Sequence, residues 1–149
     1  MKAKFFSLPV LSVLFAVVAF AGTPASFASI SASSALPSLR LDDVRFDAKA
    51  GKIRGTARVN SGYAAPIASH VSIYALDSSG KILFKGCDSL SRQSLTGHPR
   101  LPGYRTRGDA FSVRLPVGLT GVRSVQVIAE TGHGEGCNPK ENRIWNLFK

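Results

Sequence analysis

The 149-residue sequence is poor in residues that carry chemistry, with two cysteines, three histidines, one methionine and one tryptophan. Neither cysteines nor histidines show the close spacings, such as C-x2-C or H-x3-H, that mark metal sites. His133, Glu135 and Cys137 share one glycine-rich loop, but this ligand set is incomplete. A single methionine also excludes a methionine-rich copper carrier. We therefore predict no metal and no cofactor.

Catalytic motifs are also missing from the sequence. It contains no G-x-S-x-G elbow, and no glycine-rich loop opens a helix that could hold a nucleotide phosphate. Without a recognisable arrangement of nucleophile, base and acid, the sequence predicts a protein that is not an enzyme.

Acidic residues are scarce, with 9 against 19 lysines and arginines, which gives a formal net charge of +10. Such a basic protein attracts anionic partners, although net charge also serves solubility alone. No nucleic-acid-binding motif of known spacing occurs, so we expect no nucleic acid partner.

The amino end has the pattern of a secretory signal peptide. Lys2 and Lys4 precede an apolar run over residues 5–21, and small residues allow cleavage after Ala21 or as late as Ala28. The alternative is a membrane anchor, for which a run of this length is at the short limit. We predict cleavage, a secreted or periplasmic location and no stable membrane span afterwards.

The next segment, residues 22–38, is rich in serine, alanine and proline and carries no charge. This composition predicts a flexible lead-in. The folded domain is expected to cover residues 39–149, which is long enough to bury a core of its own.

The clearest structural pattern is a hairpin over residues 70–87. Val71 and Ile73 alternate with polar residues, residues 77–80 have turn chemistry, and Gly86 is expected to end the return strand. Four further segments alternate in the same way, starting at Leu39, Lys52, Asp109 and Val122. The Asp42-Asp43 pair marks a bulge or break in the first of them. With a terminal strand at 144–148, about seven strands predict an all-β sandwich or barrel.

The runs GKIRGTARVNS, HVSIYALDSSGKIL, DAFSVRLP and RSVQVIAE resemble small bacterial immunoglobulin-like domains of the FxLYD type. In that family a G-x-V-x-N strand precedes a strand that ends in a D-x-x-G-K turn. The resemblance implies an immunoglobulin-like β-sandwich of antiparallel strands in an exported protein. It transfers no functional residue, and the chain departs from the family in its long basic loop and its two cysteines.

Two cysteines in an exported chain predict one disulfide, between Cys87 and Cys137. The alternative, a reactive thiol pair, lacks the C-x-x-C spacing that lowers a thiol pKa.

The remaining feature is a basic loop over residues 89–108, which contains no acidic residue and whose cations are all arginines apart from one histidine. Arginine suits bidentate contact with carboxylate, sulfate or phosphate groups. The strand that starts at residue 52 adds a basic outer face. The predicted binding residues are Arg92, Arg100, Tyr104, Arg105, Arg107, Lys52, Arg54 and Arg58.

We therefore expect an exported, non-enzymatic binding module whose partner is an acidic glycan, a lipid head group or an acidic protein surface. The alternative is an inhibitor, immunity protein or effector that binds another protein through the 92–107 loop. A third option is a metal-binding periplasmic protein that uses His133. The bland interpretation of the basic loop is a solvated loop whose arginines only pair with nearby carboxylates.

Overall fold

The computed structural model describes residues 27–96 and 108–137, which form two packed β-sheets and one short helix. The elements are β1 (Ser29–Ser34), β2 (Leu39–Asp47), β3 (Lys52–Val59), β4 (Ser69–Leu76), β5 (Ile82–Leu90), α1 (Arg92–Thr96), β6 (Gly108–Arg114) and β7 (Ser124–Thr131). One sheet has the strand order β1-β7-β4-β5, and the other has the order β2-β3-β6. The predicted β-sandwich is confirmed, whereas the signal peptide and the 144–148 strand lie outside the described residues.

A single core lies between the two sheets. Val71, Ile73 and Val127 of the four-stranded sheet are fully buried in one cluster with Ile53 and Phe111 of the three-stranded sheet. These side chains alternate along each strand with residues of the opposite face, as expected for sheets that bury one face. Within residues 27–96 and 108–137, no helix is long and apolar enough to cross a membrane.

The predicted hairpin forms from β4 and β5, but its second strand is longer than expected. β5 continues through Gly86 and Cys87 to Leu90. A Cβ atom at Gly86 would lie 2.7 Å from the Phe84 ring and 2.8 Å from a Val113 methyl. The glycine therefore gives room for side chains of the core instead of ending the strand.

Strand β1 lies in the stretch that was expected to be a flexible lead-in. It pairs in parallel with β7, from Ser29 opposite Ser124 to Ser34 opposite Ala129, so this sheet is mixed and not purely antiparallel. The Ser/Ala-rich sequence of β1 has little strand preference of its own. Pairing with β7 supplies its hydrogen bonds, and Phe27 just before it packs edge-on against Phe46, with ring centroids 4.7 Å apart.

The acidic pair in β2 marks a bulge, as predicted. The register between β2 and β3 shifts between Asp42 and Arg45, and Asp43 has a positive φ of 55°. Aspartate tolerates this left-handed conformation better than most residues. After the bulge, Val44 and Phe46 return to the core side, which leaves Arg45 on the outer face.

Candidate functional site

Six basic side chains lie on the outer face of the three-stranded sheet, which we call the basic sheet face: Arg40, Arg45, Lys52, Arg54, Arg58 and Arg114. Their positions alternate with the core residues of each strand. The register places like charges directly opposite each other in three pairs, namely Arg40 with Arg58, Arg45 with Arg54, and Lys52 with Arg114. Rows on one face of a sheet are about 7 Å apart along the strands and about 5 Å apart across them. Like charges at this spacing destabilise the sheet unless anions lie between them.

Two carboxylates on the same face neutralise part of this charge. Asp42 receives a hydrogen bond from Arg40 Nε at 3.1 Å, and Arg58 Nε lies 3.0 Å from the same oxygen. Asp47 forms an ion pair with Arg54. With six cations against two carboxylates, the face keeps a net charge of +4.

The unbalanced charge is concentrated at one end of the face. Arg45, Lys52 and Arg114 form no ion pair within the described part of the chain. They surround the Arg54–Asp47 pair, because Arg45 is opposite Arg54 and Lys52 is opposite Arg114. This end of the face is therefore the best place for a multivalent anion.

Three of the predicted binding residues, Lys52, Arg54 and Arg58, are thus brought together on one surface. Arg92 is exposed on α1, where the buried Leu95 anchors the start of the predicted loop in the core. The other four, Arg100, Tyr104, Arg105 and Arg107, lie outside the described residues.

The described chain resumes at Gly108, which is opposite Arg58 in the sheet. A Cβ atom on this glycine would lie 3.2 Å from Cγ of Arg58. The residue that follows the 92–107 loop in the sequence therefore lies beside Arg58 of the basic sheet face.

The sequence interpretation missed Arg40, Arg45 and Arg114. Period-two alternation places each of them on the outer side of its own strand, so part of the signal was present. The missing information was the register, which brings the three positions opposite Arg58, Arg54 and Lys52.

A second polar cluster lies on the outer face of the four-stranded sheet, beside a surface cavity of about 440 Å3. His70 is only 7% exposed, and its Nδ1 donates to the Gly132 carbonyl at 3.0 Å. Its Nε2 lies 3.3 Å from Glu130 Oε2, which also accepts a hydrogen bond of 2.6 Å from the Ser72 hydroxyl. Lys85 and Glu135 add charges of both signs to the cavity.

This cluster differs from a catalytic triad. In a triad the histidine lies between the nucleophile and the carboxylate, whereas here Glu130 lies between Ser72 and His70. Ser72 is also 1% exposed, so its hydroxyl serves to hold the carboxylate in place.

The predicted disulfide between Cys87 and Cys137 is confirmed, with the two Cα atoms 5.1 Å apart. It holds the loop of residues 132–137 against strand β5. A Cβ atom on Gly134 would lie 2.4 Å from Cys137 Sγ and 2.5 Å from the His70 ring, so this loop packs closely over His70. The disulfide is therefore part of the scaffold around the second cluster.

Together, the fold and its surface define a disulfide-bonded β-sandwich with a basic sheet face. In the described ranges, no group of three or more His, Cys, Asp or Glu side chains could hold a metal ion. Comparison of the chain with protein-family models, curated proteins and solved structures found no match. The resemblance to FxLYD-type domains stays a prediction.

Proposed function

We propose that this protein is an exported, non-enzymatic module that binds an anionic partner through the basic sheet face. The observation that carries the proposal is the register, which places three like-charged pairs across neighbouring strands. Among the described residues of this face, two carboxylates, Asp42 and Asp47, accompany these pairs. A bound anion would offset the repulsion that this arrangement leaves. The face thus has both the charge and the geometry for binding.

The chemistry of the face favours partners with carboxylate, sulfate or phosphate groups. Five of its six cations are arginines, whose planar guanidinium groups make bidentate contacts with such anions. Arg45 and Arg114 are exposed and form no ion pair within the described residues, so no carboxylate has to be displaced before they bind. An acidic glycan, a lipid head group and an acidic protein surface all meet this requirement.

The 92–107 loop is followed in the sequence by Gly108, a residue of the same sheet. Gly108 connects the loop to β6 beside Arg58, and Ser91 N donates to Asp109 Oδ2 at 2.7 Å, which ties the two ends of the loop together. The arginines that precede Gly108 in the sequence would add to the charge near Arg58.

Export rests on the signal-peptide pattern, and the disulfide is compatible with it. Disulfides persist in oxidising compartments and are rare in the cytosol. The secreted or periplasmic location is therefore part of this proposal.

The alternative function is an inhibitor, immunity protein or effector that inserts the 92–107 loop into another protein. The anchored start of the loop at Leu95 and its fixed end at Asp109 support this alternative, because a protruding loop needs a rigid base. Capture of one stoichiometric protein partner would favour it, whereas recovery of polysaccharide or lipid would favour the basic sheet face.

The location of the site can be tested by charge reversal. We expect Arg45→Glu to weaken binding to a sulfated polysaccharide, because it removes one contact and adds a repulsive charge to the face. Lys85→Glu is the matched control, since Lys85 is an exposed cation on the opposite sheet. Equal weakening by both variants would show that net charge, and not this face, governs binding.

A further inference from the structure

One end of the sandwich gathers three connections, residues 47–52, 77–81 and 115–123, which we call the turn end. Leu115 N donates to Gly51 O at 2.9 Å, and Arg123 N donates to Leu76 O at 2.7 Å, so the connections of both sheets meet there. The described chain also enters at this end, where Ala28 N donates to Arg123 O at 3.0 Å.

The turn end exposes large apolar side chains. Val117 is fully exposed, Ile82 is 52% exposed and Leu83 is 37% exposed. Leu119 N donates to Pro116 O, and Gly118 has a φ of 81°, so Val117 lies at the tip of a tight turn that directs it away from the core. Large apolar side chains that are exposed on the same part of a protein mark an interaction surface.

The same three connections, and the strand ends beside them, carry basic side chains. The cations of the turn end are Lys49, Lys52, Lys81, Arg114 and Arg123. Two carboxylates lie on the same connections: Asp47, which pairs with Arg54, and Asp77, which accepts hydrogen bonds from Ser79 and from Lys81 N inside its own turn. The five cations outnumber these two carboxylates. The rim of the turn end therefore keeps a positive charge.

We propose that the turn end docks on an anionic lipid surface, with Val117, Ile82 and Leu83 entering the head-group region while the cations contact the head groups. This inference rests on the proposed function, since it narrows the anionic partner to lipid. Exposed apolar side chains with cations on neighbouring segments suit a bilayer interface, where anionic head groups lie above the apolar acyl chains.

The test uses the exported protein, purified under oxidising conditions, and its sedimentation with vesicles. Wild-type protein should bind vesicles of phosphatidylcholine mixed with phosphatidylglycerol, and it should bind vesicles of phosphatidylcholine alone far more weakly. Lys49→Ala/Lys81→Ala should weaken binding about 30-fold, from about 1 kcal/mol for each basic residue near the surface. Val117→Ser should weaken it roughly tenfold through the lost apolar contact.

Two controls make the outcome decisive. Ile67→Ser removes an apolar side chain that is 83% exposed at the opposite end of the sandwich, and it should leave vesicle binding unchanged. Val117→Ser should leave binding to a soluble sulfated polysaccharide unchanged. Equal binding to both kinds of vesicle, or equal loss with Ile67→Ser, would overturn the lipid proposal even if the polysaccharide still bound. Failure to bind either ligand would overturn the proposed function as well.

Discussion

Arg40 and Arg58 lie directly opposite each other on neighbouring strands and share one oxygen of Asp42, at 3.1 and 3.0 Å from their Nε atoms. One carboxylate thus separates two guanidinium groups that would otherwise repel each other. This arrangement shows how the basic sheet face can accumulate positive charge and remain folded, because part of that charge is neutralised within the sheet. The remaining charge is what we propose an anionic partner binds.

Removing the shared carboxylate should have opposite effects on stability and binding. We expect Asp42→Asn to lower the free energy of unfolding by about 0.5–1 kcal/mol at low salt, because Arg40 and Arg58 then face each other without a counter-charge. The loss should diminish as salt is added. The same variant should bind an anionic polysaccharide more tightly. Asp43→Asn, in the adjacent bulge, is the charge-matched control, and equal destabilisation by both would contradict this explanation.

The disulfide should make a large contribution to stability. Closing the 50-residue separation between Cys87 and Cys137 stabilises the fold by up to about 4 kcal/mol in the chain-entropy description. Denaturant unfolding of Cys87→Ser/Cys137→Ser should show this loss, and reduced wild-type protein should unfold at the same midpoint as the variant. A variant as stable as oxidised wild type would contradict this role.

Gly134 should be intolerant of a side chain. Gly134→Ala places a Cβ 2.4 Å from Cys137 Sγ and 2.5 Å from His70, and we expect a loss of about 1–3 kcal/mol in stability. A double-mutant cycle with His70→Ala isolates the cause, because removing the ring should relieve part of the clash. Additive effects would show that the loop does not pack on His70 in solution.

The turn between β4 and β5 should become weaker in acid. Hydrogen bonds from the Ser79 side chain and the backbone of Lys81 hold the pKa of Asp77 below its ordinary value of 3.8. A lowered folded-state pKa stabilises the fold above the unfolded value, and this contribution is lost as the pH falls through the folded value. Asp77→Asn should therefore lower stability at neutral pH, and its difference from wild type should shrink below about pH 4. Ser78→Ala should show no such pH dependence.

Much of the fold could be predicted from the sequence, because period-two alternation and turn residues are local signals. The β4–β5 hairpin and the bulge at Asp42-Asp43 follow from such signals. The disulfide follows from the cysteine count, because two cysteines in an exported chain allow one pairing. Strand β1 could not be predicted, because the sequence SISASS becomes a strand only by pairing with β7. Gly86 was misinterpreted for a related reason: Val113, which lies close to it, belongs to the other sheet, so the need for a glycine depends on tertiary packing.

The candidate site was predicted only in part. Lys52, Arg54 and Arg58 stand out in one strand, but their partners come from strands that are distant in the sequence. Arg40 and Arg45 reach them through a register that a bulge shifts by one position, and Arg114 reaches them through β6. Alternation gives the side of a strand on which a residue lies, whereas long-range pairing decides which residue lies beside it.

The most direct test of the proposed function is the salt dependence of binding to a sulfated polysaccharide, measured from about 50 to 500 mM salt. The dissociation constant of wild-type protein should rise steeply over this range. In a plot of log Kd against the logarithm of the salt concentration, the slope should be smaller by about 2 for Arg45→Ala/Arg114→Ala than for wild type, because two contacts are lost. An affinity independent of salt, or an unchanged slope in this variant, would contradict binding through the basic sheet face.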